Sequence, residues 1–263
     1  MKKYIFMAVV GMLALSSCSK DDEQNIENAQ KAPQQMTYTA GFGDGATTRA
    51  TLNANKSVTF DNPDYISIFS ANNNNVKFTT TTGGAEATFS GEAVAGDGTY
   101  YAVYPYKAGL TRSGTTISGI VIPNDQSAAA SSACGWDPAA PIAYATTTGS
   151  SLQFSNACAL LKITNNAKDI ASTISVTASE GMSGNYDLDT SNGSLSVSGS
   201  TSNFVNVNNV PLGKTFYIAI KPGTYTSFKA SCQDVWKRGK KSSVTFEAGK
   251  IYDLGNVNDW AGW

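Results

Sequence analysis

The residues best placed to do chemistry are Leu15-Ser16-Ser17-Cys18, where a thiol follows two small residues at the end of an apolar run. That run, Tyr4 to Leu15, is preceded by Lys2 and Lys3. It is too short to cross about 30 Å of hydrocarbon as a helix and reads as a signal peptide. Its end matches the lipobox cut by bacterial lipoprotein signal peptidase. Cys18 is therefore expected to carry lipid and to begin the mature chain, since more than one acyl chain gives stable attachment to a membrane. Ser19-Lys20-Asp21-Asp22-Glu23 follows directly. It is similar to the acidic export signal that sends lipoproteins of Gram-negative gut and oral anaerobes to the outer face of the outer membrane.

Other chemistries find little support. Histidine is absent, which removes Ser-His-Asp and Cys-His catalysis and the commonest zinc ligand. Asp187 and Asp189 share one face of a candidate strand and Asp137 lies elsewhere, but spacing alone does not make a glycosidase carboxylate pair. No Gly-rich phosphate loop and no metal-ligand cluster is visible, so the reading is no enzyme, no cofactor and no metal. With 19 basic against 20 acidic residues, no global field points to nucleic acid. Once Cys18 is lipidated, Cys134, Cys158 and Cys232 remain. An odd count favours buried thiols over a disulfide framework, with a single bridge as the alternative.

Three features are candidate ligand contacts. Trp136 sits in a long small-residue segment, Pro123 to Pro141, of a length often reserved for function. Trp236-Lys237-Arg238-Gly239-Lys240-Lys241 is the one basic cluster and is expected at a hairpin tip, where Trp236 and Arg238 could meet an anionic glycan. Tyr100, Tyr101, Tyr104 and Tyr106 could stack on a sugar, although strand alternation would turn at least half of them into the core.

The elements that must position these residues are strands. Residues 18–35 are polar and lack aromatics, as a flexible tether does. From Met36 onward, short Val-, Ile-, Phe- and Tyr-bearing runs alternate with Gly, Asn, Pro and Ser punctuation. Candidate strands include Met36 to Ala40, Tyr65 to Phe69, Val76 to Thr79, Ala87 to Ser90, Thr99 to Pro105 and Ile117 to Ile122. The later ones include Leu160 to Ile163, Ile174 to Ala178, Phe204 to Val207, Phe216 to Ile220, Phe228 to Cys232 and Ile251 to Leu254. Asn192-Gly193 between two such runs predicts a type I′ hairpin. Helical periodicity is missing beyond the signal peptide. The expected fold is all-β: two consecutive β-sandwich (transthyretin-like, Greek-key) domains, residues 36–157 and 158–263, after a signal peptide at 1–17 and a tether at 18–35.

The order of motifs resembles the fimbrillin-like family of surface lipoproteins, related to type V pilins. The resemblance rests on Thr48-Arg49-Ala50-Thr51, Phe60, Asp64-Tyr65-Ile66-Ser67-Ile68-Phe69 and Tyr100-Tyr101-Ala102-Val103-Tyr104-Pro105-Tyr106. It continues through Ile122-Pro123 with Gln126, Trp136-Asp137-Pro138, Phe154, Ala159-Leu160-Leu161-Lys162-Ile163-Thr164-Asn165 and Gly249-Lys250-Ile251-Tyr252-Asp253-Leu254. It implies a lipidated precursor cut at Arg49-Ala50 by an arginine-specific surface protease. The strand carrying Met36, Tyr38 and Ala40 would then leave, and a strand from a neighbouring subunit would fill its groove by β-strand addition. Asp64-Tyr65 departs from the Gly-Asp usual at that turn, and the chain is short for a stalk subunit. Gly255 to Trp263 is a short tail for a donor strand, though Trp260 and Trp263 could plug a groove. The expected function is adhesion as a surface-exposed, outer-membrane lipoprotein, an accessory, tip or anchor-like fimbrial subunit. The alternative is a monomeric glycan-binding lipoprotein of a carbohydrate uptake system.

Overall fold

A computed structural model describes residues 31–43, 59–80, 82–96, 98–127, 135, 137–166, 173–208, 210–232, 236–240 (main chain) and 242–260. In chain order the strands begin with β1 (Gln34–Phe42), β2 (Tyr65–Phe69), β3 (Val76–Thr80), β4 (Glu86–Ala93), β5 (Tyr100–Tyr104), β6 (Thr111–Ser113) and β7 (Thr116–Ile122). Next come β8 (Asp125–Ser127), β9 (Ala143–Thr147), β10 (Ser151–Asn156), β11 (Ala159–Asn165), β12 (Thr173–Ala178), β13 (Ser183–Asp189) and β14 (Ser194–Ser202). The last are β15 (Phe204–Asn208), β16 (Lys214–Ile220), β17 (Gly223–Tyr225), β18 (Phe228–Cys232), β19 (Trp236–Lys240), β20 (Val244–Phe246) and β21 (Ile251–Asn256), before a 3-10 turn at Val257–Asp259. The fold is all-β. No helix among the described residues is long and apolar enough to cross a membrane.

The N-terminal strands do not stop at an open sandwich. They close into a barrel in the order β1-β10-β9-β5-β2-β3-β4, with β1 joining β4 to β10. Closure removes free sheet edges. The interior is filled by every second residue of each strand: Tyr38 and Ala40 from β1, Ile66 and Ile68 from β2, Tyr100, Ala102 and Tyr104 from β5, Leu152 and Phe154 from β10. Pairing then crosses the expected division at Ala157/Cys158. β7 pairs antiparallel with β13 and β8 pairs parallel with β15, so residues 116–127 build sheets with the C-terminal half.

Two further apolar layers follow. Phe69 and Val103, turned outward from the barrel wall, pack with Ile117, Ile120, Ile122, Tyr186 and Leu188 of the sheet β14-β13-β7-β6. The other core gathers Leu161, Ile163, Ile174, Val176, Val205, Phe216, Ile218 and Trp260. β11 lies between β16 and β21 and contributes Leu160 to one layer and Leu161 and Ile163 to the other. A strand buried on both faces needs the near-continuous apolar run seen there.

Three local expectations are corrected. The hairpin at Asn192-Gly193 exists, but β13 and β14 pair last at Asp189↔Ser194, leaving a four-residue connection. Gly193 has φ +77°, and Asn192 lacks the positive φ that a type I′ turn demands. Asp189 holds this loop by accepting from the Ser191 main-chain N–H (2.9 Å) and Oγ–H (2.7 Å). Those bonds also hold the Asp189 carboxyl below its ordinary range. Second, Trp260 is not a free plug: it is 1 % exposed in its own core, and its Nε1–H donates to the Leu254 carbonyl at 2.9 Å. Third, the segment from Pro123 is not all loop, because Asp125–Ser127 forms β8.

Gln126 anchors that segment. Its Nε2 donates to the Ala219 carbonyl (2.8 Å) and its Oε1 accepts from the Ala219 N–H (3.0 Å), so a side chain supplies a strand partner for β16. Tyr217 N–H donates to the Gly135 carbonyl at 2.9 Å, extending the cover along the same edge. Replacing Gln126 with Leu leaves both Ala219 groups buried and unpaired, at roughly 1–3 kcal/mol for each. We expect a correspondingly lower urea midpoint with an unchanged slope. A midpoint equal to that of the parent chain would show that water or a neighbour takes over the bonds.

Candidate functional site

β1 is the element on which the sequence reading turns, and its seat can be built residue by residue. Along Gln34–Phe42 the even positions face inward: Met36 half-buried, Tyr38 and Ala40 buried, Phe42 half-buried. The odd threonines, Thr37 and Thr39, are exposed. On one side β1 runs antiparallel to β4 over the full register from Gln34↔Ala93 to Gly41↔Glu86. On the other it runs parallel to β10 from Thr39↔Ser151 to Phe42↔Phe154. Gly43 N–H still donates to the Phe154 carbonyl at 3.1 Å as the strand ends. β4 and β10 meet only through β1, so the strand is the closing stave of the barrel.

Its side chains dock among aromatics. The Tyr38 ring meets Phe78 and Tyr100 edge-on, at centroid distances of 5.4 and 5.6 Å. Phe42 stacks on Phe60 at 4.8 Å and also reaches Phe154 (5.8 Å) and Tyr104 (6.0 Å). Each buried ring of this kind contributes about 1.5–3 kcal/mol through its area alone. Further along β10, two residues past the last β1 pair at Phe42↔Phe154, the buried Asn156 carboxamide is unpaired at both ends. Burial, with the Tyr100 phenol beside it, pushes the Tyr38 phenol well above its ordinary range. At the barrel end the Tyr104 hydroxyl donates to buried Asp64 Oδ2 at 2.8 Å, and Asp61 N–H donates to the same oxygen at 2.8 Å.

The other predicted site residues are not brought to this seat. Cys18, Arg49, Ala50, Trp136, Cys134 and Trp263 lie outside the described residues. Trp236 and Arg238 lie not at a hairpin tip but within β19, an edge strand whose register with β18 runs from Cys232↔Trp236 to Phe228↔Lys240. The pairing with β18 begins at Trp236 itself, so the basic run lies within the strand. Basic residues on an edge strand discourage pairing with another chain. Among the tyrosines, Tyr100 and Tyr104 are core. Half-buried Tyr101 and Tyr106 already carry cations, with Arg112 Cζ 4.8 Å from the Tyr101 ring and Lys77 Nζ 5.4 Å from the Tyr106 ring. Cys158 and Cys232 are free, buried thiols. Asp137 accepts from the Ser127 and Ala139 N–H groups, and Asp189 is taken up by its turn. No group of three or more His, Cys, Asp or Glu residues that could hold a metal ion occurs among the described residues.

The sequence reading missed Phe42 and Asn156. It ended the strand at Ala40 because Gly41 looked like punctuation, yet the even-position alternation runs on to Phe42.

A search of solved structures finds a candidate cell adhesion protein from Bacteroides ovatus, 14 % identical, with a TM-score of 0.50 over 86 % of this chain and 93 % of that one. The chain shares the fold of that protein. A second candidate cell adhesion protein, from Bacteroides uniformis, is 16 % identical with a TM-score of 0.48, over 84 % and 93 % of the two chains. A fimbrial protein from Bacteroides ovatus is 14 % identical with a TM-score of 0.43, over 87 % of this chain and 49 % of that one. No protein-family model matches, and no curated protein does.

Proposed function

We propose that this protein is a surface-exposed adhesion lipoprotein, held in the outer membrane by lipid on Cys18 and working as an accessory, tip or anchor-like fimbrial subunit. Residues 18–35 are its tether, and the β-structure that follows is its adhesive body. Its partners are other fimbrial subunits and a host or bacterial surface glycan or protein, not nucleic acid, and it catalyses nothing. The observation that carries the reading is the place of β1. The strand is the one stave joining β4 to β10, and its end at Phe42 lies seven residues before Arg49 in sequence. A cut at Arg49-Ala50 would leave β1 held by pairing and packing alone. Its departure would expose two strand edges and an aromatic-floored groove, which is what β-strand addition requires.

The glycan-uptake reading has less behind it. Its tyrosine platform is half core and half covered by the chain's own cations.

The test is the intact mass and N-terminal sequence of the protein recovered from the cell surface. We expect an N-terminus at Ala50 for the assembled form and a lipidated Cys18 for the anchored form. Recovery of lipidated, uncut chain alone would end the strand-exchange reading and leave a tethered adhesin.

A further inference from the structure

We propose that Lys77, held between the rings of Tyr65 and Tyr106, forms with Lys107 a binding site for the anionic groups, carboxylate or sulfate, of an acidic surface polysaccharide. This rests on the adhesion reading above and names a ligand class and its place on the barrel wall.

Three segments meet on the outer face of the barrel. β2 and β3 set Ser67 directly opposite Lys77. The chain leaving β5 crosses the same place: Tyr106 N–H donates to the Tyr65 carbonyl at 2.8 Å, and Lys107 N–H donates to Ser67 Oγ at 3.4 Å. Asn75, at φ +54°, fixes that crossing by donating Nδ2 to the Lys107 carbonyl at 2.9 Å. Lys77 and Lys107 therefore flank buried Ser67, and both are exposed. The Lys77 ammonium lies 3.6 Å from the centroid of the Tyr65 ring and 5.4 Å from that of Tyr106. A ring face attracts an ammonium through its quadrupole and brings no net charge. The cation is thus held in place without being neutralised. Lys162 is the contrast, taken up by Asp253 Oδ2 at 2.6 Å. Among the described residues neither Lys77 nor Lys107 makes an ion pair. Glu92 of β4, two residues on from the Thr79↔Ser90 pair, lies across β3 from the tyrosines and is not bonded to Lys77. Partial burial lowers the pKa of the Lys107 ammonium, and no carboxylate offsets it. A lysine already fixed by two rings has less side-chain freedom left to lose when it binds. The same rings, covered by the ammonium, are not free to stack on a neutral sugar, so the ligand is read by its charge. Two lysines hold a single anion weakly. A polymer that repeats its anion offers the site a high effective concentration, which favours a polysaccharide over a small solute.

The experiment measures binding of the full chain, in mild detergent, to three immobilised polymers: polygalacturonate (carboxylate only), dextran sulfate (sulfate only) and plain dextran. Binding to one or both acidic polymers and not to dextran is expected, and the tighter of the two names the anion. Lys77→Ala should weaken that binding about tenfold. Lys250→Ala, which removes the same charge from an exposed position just before β21, should leave it unchanged. Tyr65→Leu keeps both charges and removes the ring under the ammonium, and should weaken binding about threefold. Parental binding by Tyr65→Leu would show that a freely moving lysine serves as well, and overturns the inference. Equal losses from Lys77→Ala and Lys250→Ala would show a diffuse effect of charge and overturn it too, as would a loss confined to Arg238→Ala in the basic run of β19. Failure of both acidic polymers to bind overturns the site and leaves the adhesion reading standing, because that reading is tested separately on the N-terminus.

Discussion

Truncating Phe60 to alanine is expected to cost about 3–5 kcal/mol, the range for removing a buried aromatic ring. Phe60 is 2 % exposed and is the hub of the barrel's aromatic cluster. Its ring lies 4.8 Å from Phe42, 5.1 Å from Phe89, 5.4 Å from Tyr104 and 6.2 Å from Phe154. Its main chain also ties to Gly84 by reciprocal bonds of 2.7 and 3.0 Å, which alanine would keep. The loss is thus one of side-chain packing, leaving a void that rigid neighbouring rings cannot close. Urea unfolding of the purified variant gives the magnitude. Because Phe42 loses its stacking partner, protection of β1 amides from hydrogen exchange should fall by more than that of β11. A uniform fall across both strands would show that losing the Phe60 ring does not loosen β1 ahead of the rest of the fold.

High pH is expected to destabilise the fold steeply, and the thiols and phenols say where. Burial pushes Cys158 up from 9.0 to about 12 and Cys232 from 9.0 to about 11. Burial, followed by the charge of the Cys158 thiolate, pushes Tyr186 from 10.0 to about 12. Tyr38 and Tyr225 move upward as well, again chiefly through burial. In every case the folded chain holds its proton more tightly than the unfolded chain. The associated stability is complete below about pH 9 and is lost as pH rises from about 9 toward about 12. Within that window each such group contributes a slope of about 1.4 kcal/mol per pH unit. Urea midpoints followed through this range should fall progressively, and the Cys158→Ala chain should fall less steeply. A flat profile up to about pH 11 would show that these groups are reached by solvent in the folded state.

Fold class was legible from residue pattern because it depends on local information. Alternation in Ile174 to Ala178 sets which side chains share a face, and the apolar run in Leu160 to Ile163 signals a strand covered on both sides. In the tyrosine run, Tyr100 and Tyr104 share the core face and Tyr101 the other, as period two requires, while Tyr106 lies beyond the end of β5 and leaves that register. Short polar strands escaped notice. Asp125–Ser127 has no apolar pattern, and it is a strand because β15 lies beside it and the Gln126 side chain is bound to Ala219. Nor did composition reveal that Trp236–Lys240 is an edge strand and not a turn, since only the register with β18 shows the basic run paired along its length.

The candidate site divides in the same way. By itself the sequence determined the strand carrying Met36, Tyr38 and Ala40, its inward face, and the arginine that follows it. Those follow from alternation and residue type, which act over a few neighbouring positions. Only the tertiary structure decided that this strand closes a barrel, that Phe42 is part of it, and that the Asn156 amide is buried without a partner. Whether a buried polar group finds a partner depends on which distant strands surround it, and that placement is set by the packing of the whole barrel and not by the residues beside it in the chain.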